Sequence, residues 1–228
     1  LAGAVLLGVL VMAEQRAAQP IMPLRMFADR TRSGAYVARL LYLGAMIGFF
    51  YFTTQYLQDV LGFSALAAGI AFFPMTIVNF FVAMAIPRIT ARWGQALPLA
   101  SGVALTLLGM AWLAAVTPGS AYVSAVAAPM VLIGAGQGLA FAPLTSAGIA
   151  GVSGADAGAA SGLVNTCHQL GMAIGLALLV TVSAGAGPDL TAQVSSAFAA
   201  GSVLLGLCLV VVIVIIVPAQ RPSQATPN

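Results

Sequence analysis

Charged residues are scarce in this sequence, and lysine is absent. Only 6% of the 228 residues are charged, whereas 61% are hydrophobic. A water-soluble domain carries about a quarter charged residues, so this chain cannot cover a surface that faces water. The basic residues are all arginine, and the net charge of +3 is too small and too dispersed for nucleic-acid binding. The composition therefore predicts a protein whose solvent is lipid.

Residues that could form a metal or catalytic centre are also few. The two cysteines, Cys167 and Cys208, lie in apolar runs without metal-ligand spacing, so we expect free thiols. The single histidine has no carboxylate near it in the sequence, which argues against a membrane-embedded enzyme. We expect no metal, no cofactor and no catalytic residue.

What the sequence does contain is a series of long apolar runs. A helix needs about 20 mostly apolar residues to cross a bilayer. The alternative, a closed β-barrel, needs short segments of alternating polarity. These runs are continuous and rich in alanine, leucine and glycine, so we predict an all-α integral membrane protein. The predicted spans are 35–57, 65–87, 97–116, 121–147, 157–184 and 197–217.

The flanking segments suggest three regions. Leu1 to Met12 is apolar but too short to cross a membrane, and we interpret it as the end of a truncated span. With the polar stretch after it, region 1–33 is this helix end and a cytoplasmic loop, 34–217 is the six-helix bundle, and 218–228 is a disordered polar tail. Because the sequence starts in an apolar run without methionine or a signal peptide, we expect a fragment of a longer protein or a gene product without its front.

Arginine is confined to one side of the predicted bundle. The long N-terminal loop, the two other loops on its side and the C-terminal tail contain every arginine that lies outside a span. The opposite loops contain Asp59 and Asp189 but no basic residue. Basic loops stay in the cytoplasm, so a cytoplasmic C-terminus in the cell membrane is predicted. Arg39, at the same-side end of its span, is expected to extend its charge to the cytoplasmic interface.

Polar residues divide the spans into two groups. Spans 97–116 and 197–217 hold only small polar groups, so we expect them to face lipid or the outside of the bundle. The other four carry polar and aromatic side chains at helical spacing, which favours the lining of a cavity. Interhelical hydrogen bonding is an equally open interpretation of the amides. The predicted cavity residues are Tyr51, Gln55, Gln58, Phe72, Thr76, Asn79, Gln137, Phe141, Asn165, His168, Gln169 and Met172.

Glycines and one histidine complete the pattern. The pairs Gly134/Gly138 and Gly171/Gly175 have the four-residue spacing that lets two helix backbones approach closely. His168 is the one titratable side chain deep in a predicted span. It is either a functional group or a neutral ring bonded to a neighbour, and the sequence leaves both open.

Several stretches resemble a known transporter family. Segments 141–145 (FAPLT) and 156–177 (DAGAASGLVNTCHQLGMAIGLA) are similar to the late part of the fourteen-helix drug–proton antiporters of the major facilitator superfamily. Segments 56–64 (YLQDVLGFS) and 23–27 (PLRMF) resemble earlier parts of the same half. The resemblance implies the six-helix C-terminal half of a protein that exports amphipathic or cationic compounds, driven by proton entry.

Two positions depart from the family pattern. His168 stands where the family usually has arginine. The cytoplasmic loop with Arg88, Arg92 and Gly94 resembles the superfamily's Gly-x-x-x-Asp-Arg-x-Gly loop, but Ala91 replaces the aspartate, which puts a gating salt bridge in doubt. No aspartate or glutamate lies deep in a span, so proton-carrying carboxylates are expected in an N-terminal half.

The predicted function is therefore proton-coupled efflux of drugs or other amphipathic molecules by alternating access. Its partners would be membrane lipid, a small-molecule substrate, protons and the N-terminal half of the same transporter, with no nucleic acid. Two alternatives stay open: an exporter of one specific metabolite with the same fold, and a non-transporting structural or regulatory membrane protein.

Overall fold

The structure is a computed structural model, and it describes Gly8, Val9, Met12 and residues 24–219. Most of the predicted helix end at 1–12 and of the tail at 218–228 lies outside the described residues. Within them there is no strand, and six helices are long and apolar enough to cross a membrane. These helices are α1 (Arg30–Val60), α2 (Ala65–Trp93), α3 (Ala96–Leu113), α4 (Val123–Ile149), α5 (Gly154–Ala184) and α6 (Leu190–Ala219). The predicted all-α, six-span architecture is confirmed.

Shorter helical turns extend or interrupt these six helices. The helical bonding of α2 breaks after Ala65–Ile70 and resumes at Phe73–Trp93, with Pro74 in the first turn, where its missing N–H costs nothing. A separate 3₁₀-helix, Leu24–Ala28, precedes α1. The other non-α turns are π-helix at Tyr56–Val60, Val123–Ala127 and Val212–Ile216, and 3₁₀-helix at Gly154–Asp156.

The last helix begins earlier than predicted. Its start is Leu190 rather than residue 197, because the Asp189 carboxylate accepts a hydrogen bond from the backbone N–H of Ala192 and caps the helix. Several polar side chains in the first two turns have hydrogen-bond partners within the protein. Ser195, for example, donates to the carbonyl oxygen of Ala114 at the end of α3.

The end of α2 also corrects a prediction. Arg88 and Arg92 lie in the last turns of the helix, not in a loop, because α2 continues to Trp93. Cations are favourable near a helix C-terminus, so the two arginines support the extra turns. Gly94, with φ of 74°, ends the helix in a conformation that favours glycine.

The six helices pack unequally. In the most apolar 18-residue stretch of each helix, 67% of the residues are buried in α1, against 17% in α2 and 22% in α5. α1 packs on α4, α5 and α6, and α3 packs on α4 and α6, so the hydrophobic core lies mainly among α1, α3, α4 and α6. α2 is held mainly by α4, and α5 mainly by α1. Consequently α2 and α5 each present a broad uncovered face.

Glycine contacts set the distance between the packed helices. A Cβ on Gly44 of α1 would lie 3.0 Å from the carbonyl oxygen of Gly171, and a Cβ on Gly175 would overlap the Gly44 backbone. A Cβ on Gly134 of α4 would overlap the backbone of Met75 in α2. The predicted packing role of these glycines is therefore confirmed.

Candidate functional site

The predicted cavity residues all reach the surface of the described bundle. None of the twelve is buried: Tyr51, Thr76, Phe141, Asn165 and Gln169 are exposed, and the other seven are intermediate. On α5, Gly158 and Gly162 share this open side, and a Cβ added to either glycine would meet no neighbouring atom within 4 Å. The polar stripes of α2 and α5 thus belong to the faces that no described helix covers.

A groove of about 260 Å³ lies between α2 and α4. Its lining residues are Asn79, Ala83, Ile86, Gln137, Gly138, Phe141 and Ala142. Across it, the Asn79 side-chain amide donates to Gln137 Oε1 at 3.0 Å. The two interpretations of these amides are therefore compatible, since this pair both joins two helices and lines the groove. Each amide keeps hydrogen-bonding capacity that a bound molecule could use.

Arg39 lies in a different environment from the one that the sequence predicts. Instead of extending to an interface it is 5% exposed, because α1 packs against α4 and α5 at this position. Its guanidinium donates to Thr145 Oγ1 at 2.6 Å and to His168 Nδ1 at 3.2 Å. It also lies 4.6 Å from the centroid of the Phe141 ring. Three helices, α1, α4 and α5, thus meet at one cation.

The contact with Arg39 determines the state of His168. Arginine has only donors, so His168 Nδ1 accepts and the ring is neutral, with its hydrogen on Nε2. The His168 and Phe141 rings meet edge to face, with centroids 6.3 Å apart. The glycine contacts give the register, because Gly171, one turn beyond His168, packs on the backbone of Leu40, next to Arg39. The contact between His168 and Arg39 could not be predicted from the sequence, because it depends on the pairing of α1 with α5.

Other predicted cavity residues are not joined to this cluster. Gln55 donates to the Tyr51 hydroxyl on its own helix at 3.3 Å, and the Phe72 ring packs against Phe50 at 5.7 Å. The Thr76 hydroxyl bonds to a backbone carbonyl of its own helix. Gln58, Asn165, Gln169 and Met172 make no side-chain hydrogen bond within residues 24–219. In the same range, no three histidine, cysteine or acidic residues lie close enough to hold a metal ion.

The two helices expected outside the bundle contribute nothing to the groove. Large apolar side chains of α3 and α6 are exposed instead, including Leu108 at 58% and Val203 at 63%. On the inner face of α3, Thr106 is hydrogen-bonded inside the bundle: its Oγ1 lies 3.0 Å from the Tyr42 hydroxyl of α1. The groove and the Arg39 cluster are thus built by α1, α2, α4 and α5.

Comparison with known proteins identifies a family and several similar proteins. Residues 11–176 match the family model described as Major Facilitator Superfamily. The chain is 35% identical over 221 residues to the cephamycin export protein CmcT of Amycolatopsis lactamdurans, which covers 96% of this chain and 45% of that protein. It is 33% identical over 192 residues to the puromycin resistance protein pur8 of Streptomyces alboniger, covering 81% of this chain and 37% of that protein.

A mycobacterial relative extends the comparison. The multidrug efflux pump LfrA of Mycolicibacterium smegmatis is 27% identical over 172 residues, covering 75% of this chain and 34% of that protein. The matched residues make up less than half the length of each of these three relatives.

Proposed function

This chain belongs to the Major Facilitator Superfamily. From that membership and from its similarity to export and drug-resistance proteins, we propose that it is the C-terminal half of an exporter of amphipathic small molecules. The exporter would work by alternating access, with the substrate held between two halves. The proposed N-terminal half would cover the open faces of α2 and α5. Fourteen helices in the whole protein, six of them here, fit the resemblance noted in the sequence.

The groove between α2 and α4 is the observation that supports this function most. Asn79 and Gln137 lie close to the midpoints of their helices, and secondary transporters bind substrates near the middle of the membrane. The groove combines an amide pair with the Phe141 ring and aliphatic side chains. Such a surface suits amphipathic molecules, because apolar contact supplies area and a few polar groups fix orientation.

Proton coupling is part of the proposal and would depend on the other half. The acidic residues of the described range, Asp29, Asp59, Asp156 and Asp189, all lie at or near helix ends. A carboxylate that carries protons across the membrane is expected at depth. We therefore place the proton-carrying groups in the N-terminal half, and residues 1–228 alone should not transport.

A narrower substrate range is the second candidate. The relative that matches 96% of this chain is named as an exporter of one antibiotic class, the cephamycins. Dedicated export of a single natural product is therefore the alternative to multidrug efflux. A panel of cationic dyes, puromycin and a cephamycin separates the two, because a dedicated exporter extrudes one compound and leaves the others inside.

The test of the proposed function is export by cells that express the full-length protein. Cells lacking their own drug exporters are loaded with each compound of the panel, and the retained amount is followed over time. We expect export by the full-length protein, none by residues 1–228, and loss of export when an ionophore collapses the proton gradient.

A matched pair of variants connects this activity to the groove. Gln137→Leu removes the amide that bonds to Asn79 and should slow export, whereas Ser124→Ala, near the far end of α4, should not. Export unaffected by the ionophore would exclude proton coupling. A full-length protein that exports nothing from the panel would favour the non-transporting alternative.

A further inference from the structure

Arg39 is a buried cation without a carboxylate partner in the part of the chain that the structure describes. The one ion pair found there joins Arg25 to Asp156, at 2.8 Å. Asp29 and Asp189 cap helices, and Asp59 is exposed at the opposite end of α1. The groups that touch the Arg39 guanidinium are a hydroxyl, a neutral imidazole and an aromatic ring.

These neutral partners leave part of the guanidinium unused. Nε of Arg39 is buried and has no hydrogen-bond acceptor, and Nη1 and Nη2 each bond to one acceptor although each carries two hydrogens. The Nδ1 atom of His168 already accepts one of these hydrogens, so the ring positions the guanidinium. Three N–H hydrogens of one guanidinium thus lack an acceptor among the described residues.

Such an arrangement is unfavourable unless an anion completes it. A buried charge is normally paired, and a buried donor without an acceptor loses the hydrogen bonds that it makes in water. A planar carboxylate is the anion that fits best, because two parallel N–H donors of a guanidinium match its two oxygens.

We propose that Arg39, held in place by His168 and Thr145, forms a carboxylate-binding subsite next to the groove, and that the exported molecule supplies the carboxylate. The inference rests on the proposed function and specifies its substrate class: amphipathic molecules with a carboxylate. The amides of Asn79 and Gln137 would bind the polar part of the same molecule on the other side of Phe141.

Phe141 connects the subsite to the groove. Its ring lines the groove on one side and lies 4.6 Å from the Arg39 guanidinium on the other. Because Phe141 is 37% exposed, rotation of its side chain towards the open face would uncover Arg39. While no anion is bound, the ring's cation–π contact compensates part of the charge.

The test compares one acid with its ester on the full-length transporter in detergent. A cephamycin, which carries a carboxylate, and its methyl ester are titrated while the thermal unfolding midpoint is recorded, since a ligand that binds the native state raises it. We expect the acid to bind the wild-type protein more tightly than the ester. Arg39→Gln should weaken acid binding by about 10- to 100-fold and leave ester binding unchanged.

Two further variants control for folding and for charge in general. Arg39→Lys keeps the positive charge but lacks the two parallel N–H donors of the guanidinium, and it should retain part of the preference for the acid. Arg30→Gln removes an exposed arginine of the same helix and should change neither affinity. If Arg39→Gln does not fold, the comparison of acid and ester on the wild-type and Arg39→Lys proteins decides the matter.

Three results would overturn the inference. One is equal binding of acid and ester to the wild-type protein, and another is binding of neither. The third is a loss of both ligands in Arg39→Gln with both kept in Arg39→Lys, which would assign the carboxylate to the transporter's own N-terminal half. Export of a cationic dye by the wild-type protein is measured in parallel. Dye export would support the proposed efflux function even if the carboxylate-binding subsite is refuted.

Discussion

At the scale of single residues, the buried hydroxyl groups of Tyr42 and Thr106 form a short chain of hydrogen bonds that ends at a backbone carbonyl. Thr106 Oγ1 donates to the carbonyl oxygen of Gly102 at 2.9 Å, so Tyr42 must be the donor in the 3.0 Å contact between the two hydroxyls. Both side chains are fully buried. Since lipid and protein interior offer no water to replace a lost partner, the two ends of this pair should respond differently to mutation.

Tyr42→Phe and Thr106→Val test this asymmetry. Tyr42→Phe removes a donor and leaves Thr106 bonded to Gly102, so we expect a loss of about 0.5–1.5 kcal/mol in unfolding free energy. Thr106→Val leaves the Tyr42 hydroxyl without an acceptor and should cost about 1–3 kcal/mol. Unfolding of the full-length protein in detergent measures both. A Thr106→Val protein as stable as Tyr42→Phe would contradict the assigned direction of the bond.

His168 permits a second prediction at this scale. His168→Gln provides an oxygen acceptor for Arg39 and should fold with little loss of stability. His168→Arg places a second cation beside Arg39, and like charges in contact cost several kcal/mol. We expect the arginine variant to be less stable by the same unfolding measurement. Equal stability of the two variants would mean that a carboxylate outside residues 24–219 already neutralises this position.

At the scale of helices, the contact between α1 and α5 depends on the absence of side chains. Gly44, Gly171 and Gly175 bring the two backbones together, and the same contact carries Arg39 to His168. The mobile parts of transporters of this class are helix groups that move against one another as rigid bodies. A tight glycine seam would keep α1 and α5 together in such a motion.

Gly175→Ala and Gly206→Ala form a matched pair for this seam. A Cβ at position 175 would overlap the Gly44 backbone, whereas position 206 of α6 has no neighbouring atom within 4 Å. We expect Gly175→Ala to destabilise the protein by about 1–3 kcal/mol through overpacking. Gly206→Ala should be neutral or slightly stabilising, because alanine favours a helix. Similar melting temperatures for the two variants would refute the close approach.

At the scale of the whole molecule, arginines cluster at one end of the bundle. Arg25 bonds to Asp156 at 2.8 Å, and Arg32 donates to the carbonyl oxygen of Ala150 at 3.3 Å. The segment before α1 is thereby fixed to the connection between α4 and α5. The C-terminal ends of α2 and α6 lie at the same end of the bundle as this segment. This arrangement agrees with the distribution of basic residues in the sequence.

This arrangement predicts the orientation in the membrane. Because basic segments stay in the cytoplasm, the end with Arg25 and Arg92 should be cytoplasmic, together with the C-terminus. Alkaline phosphatase, which is active only outside the cytoplasm, is inserted after Asp189 or fused after Asn228 in the full-length protein. We expect activity in the first fusion alone. The reverse result would require the opposite topology.

Sequence alone determined the solvent, the fold class and the number of spans, because apolar length and scarce charge depend only on local composition. It also placed Asn79, Gln137 and His168 within the apolar helices, since apolar length is a local property. It failed where a residue's surroundings come from another helix. The burial of Arg39 follows from α1 packing against α4 and α5, and the start of α6 follows from caps and side chains that bond to carbonyls. Tertiary structure decided these features, because only packing brings distant segments within hydrogen-bonding distance.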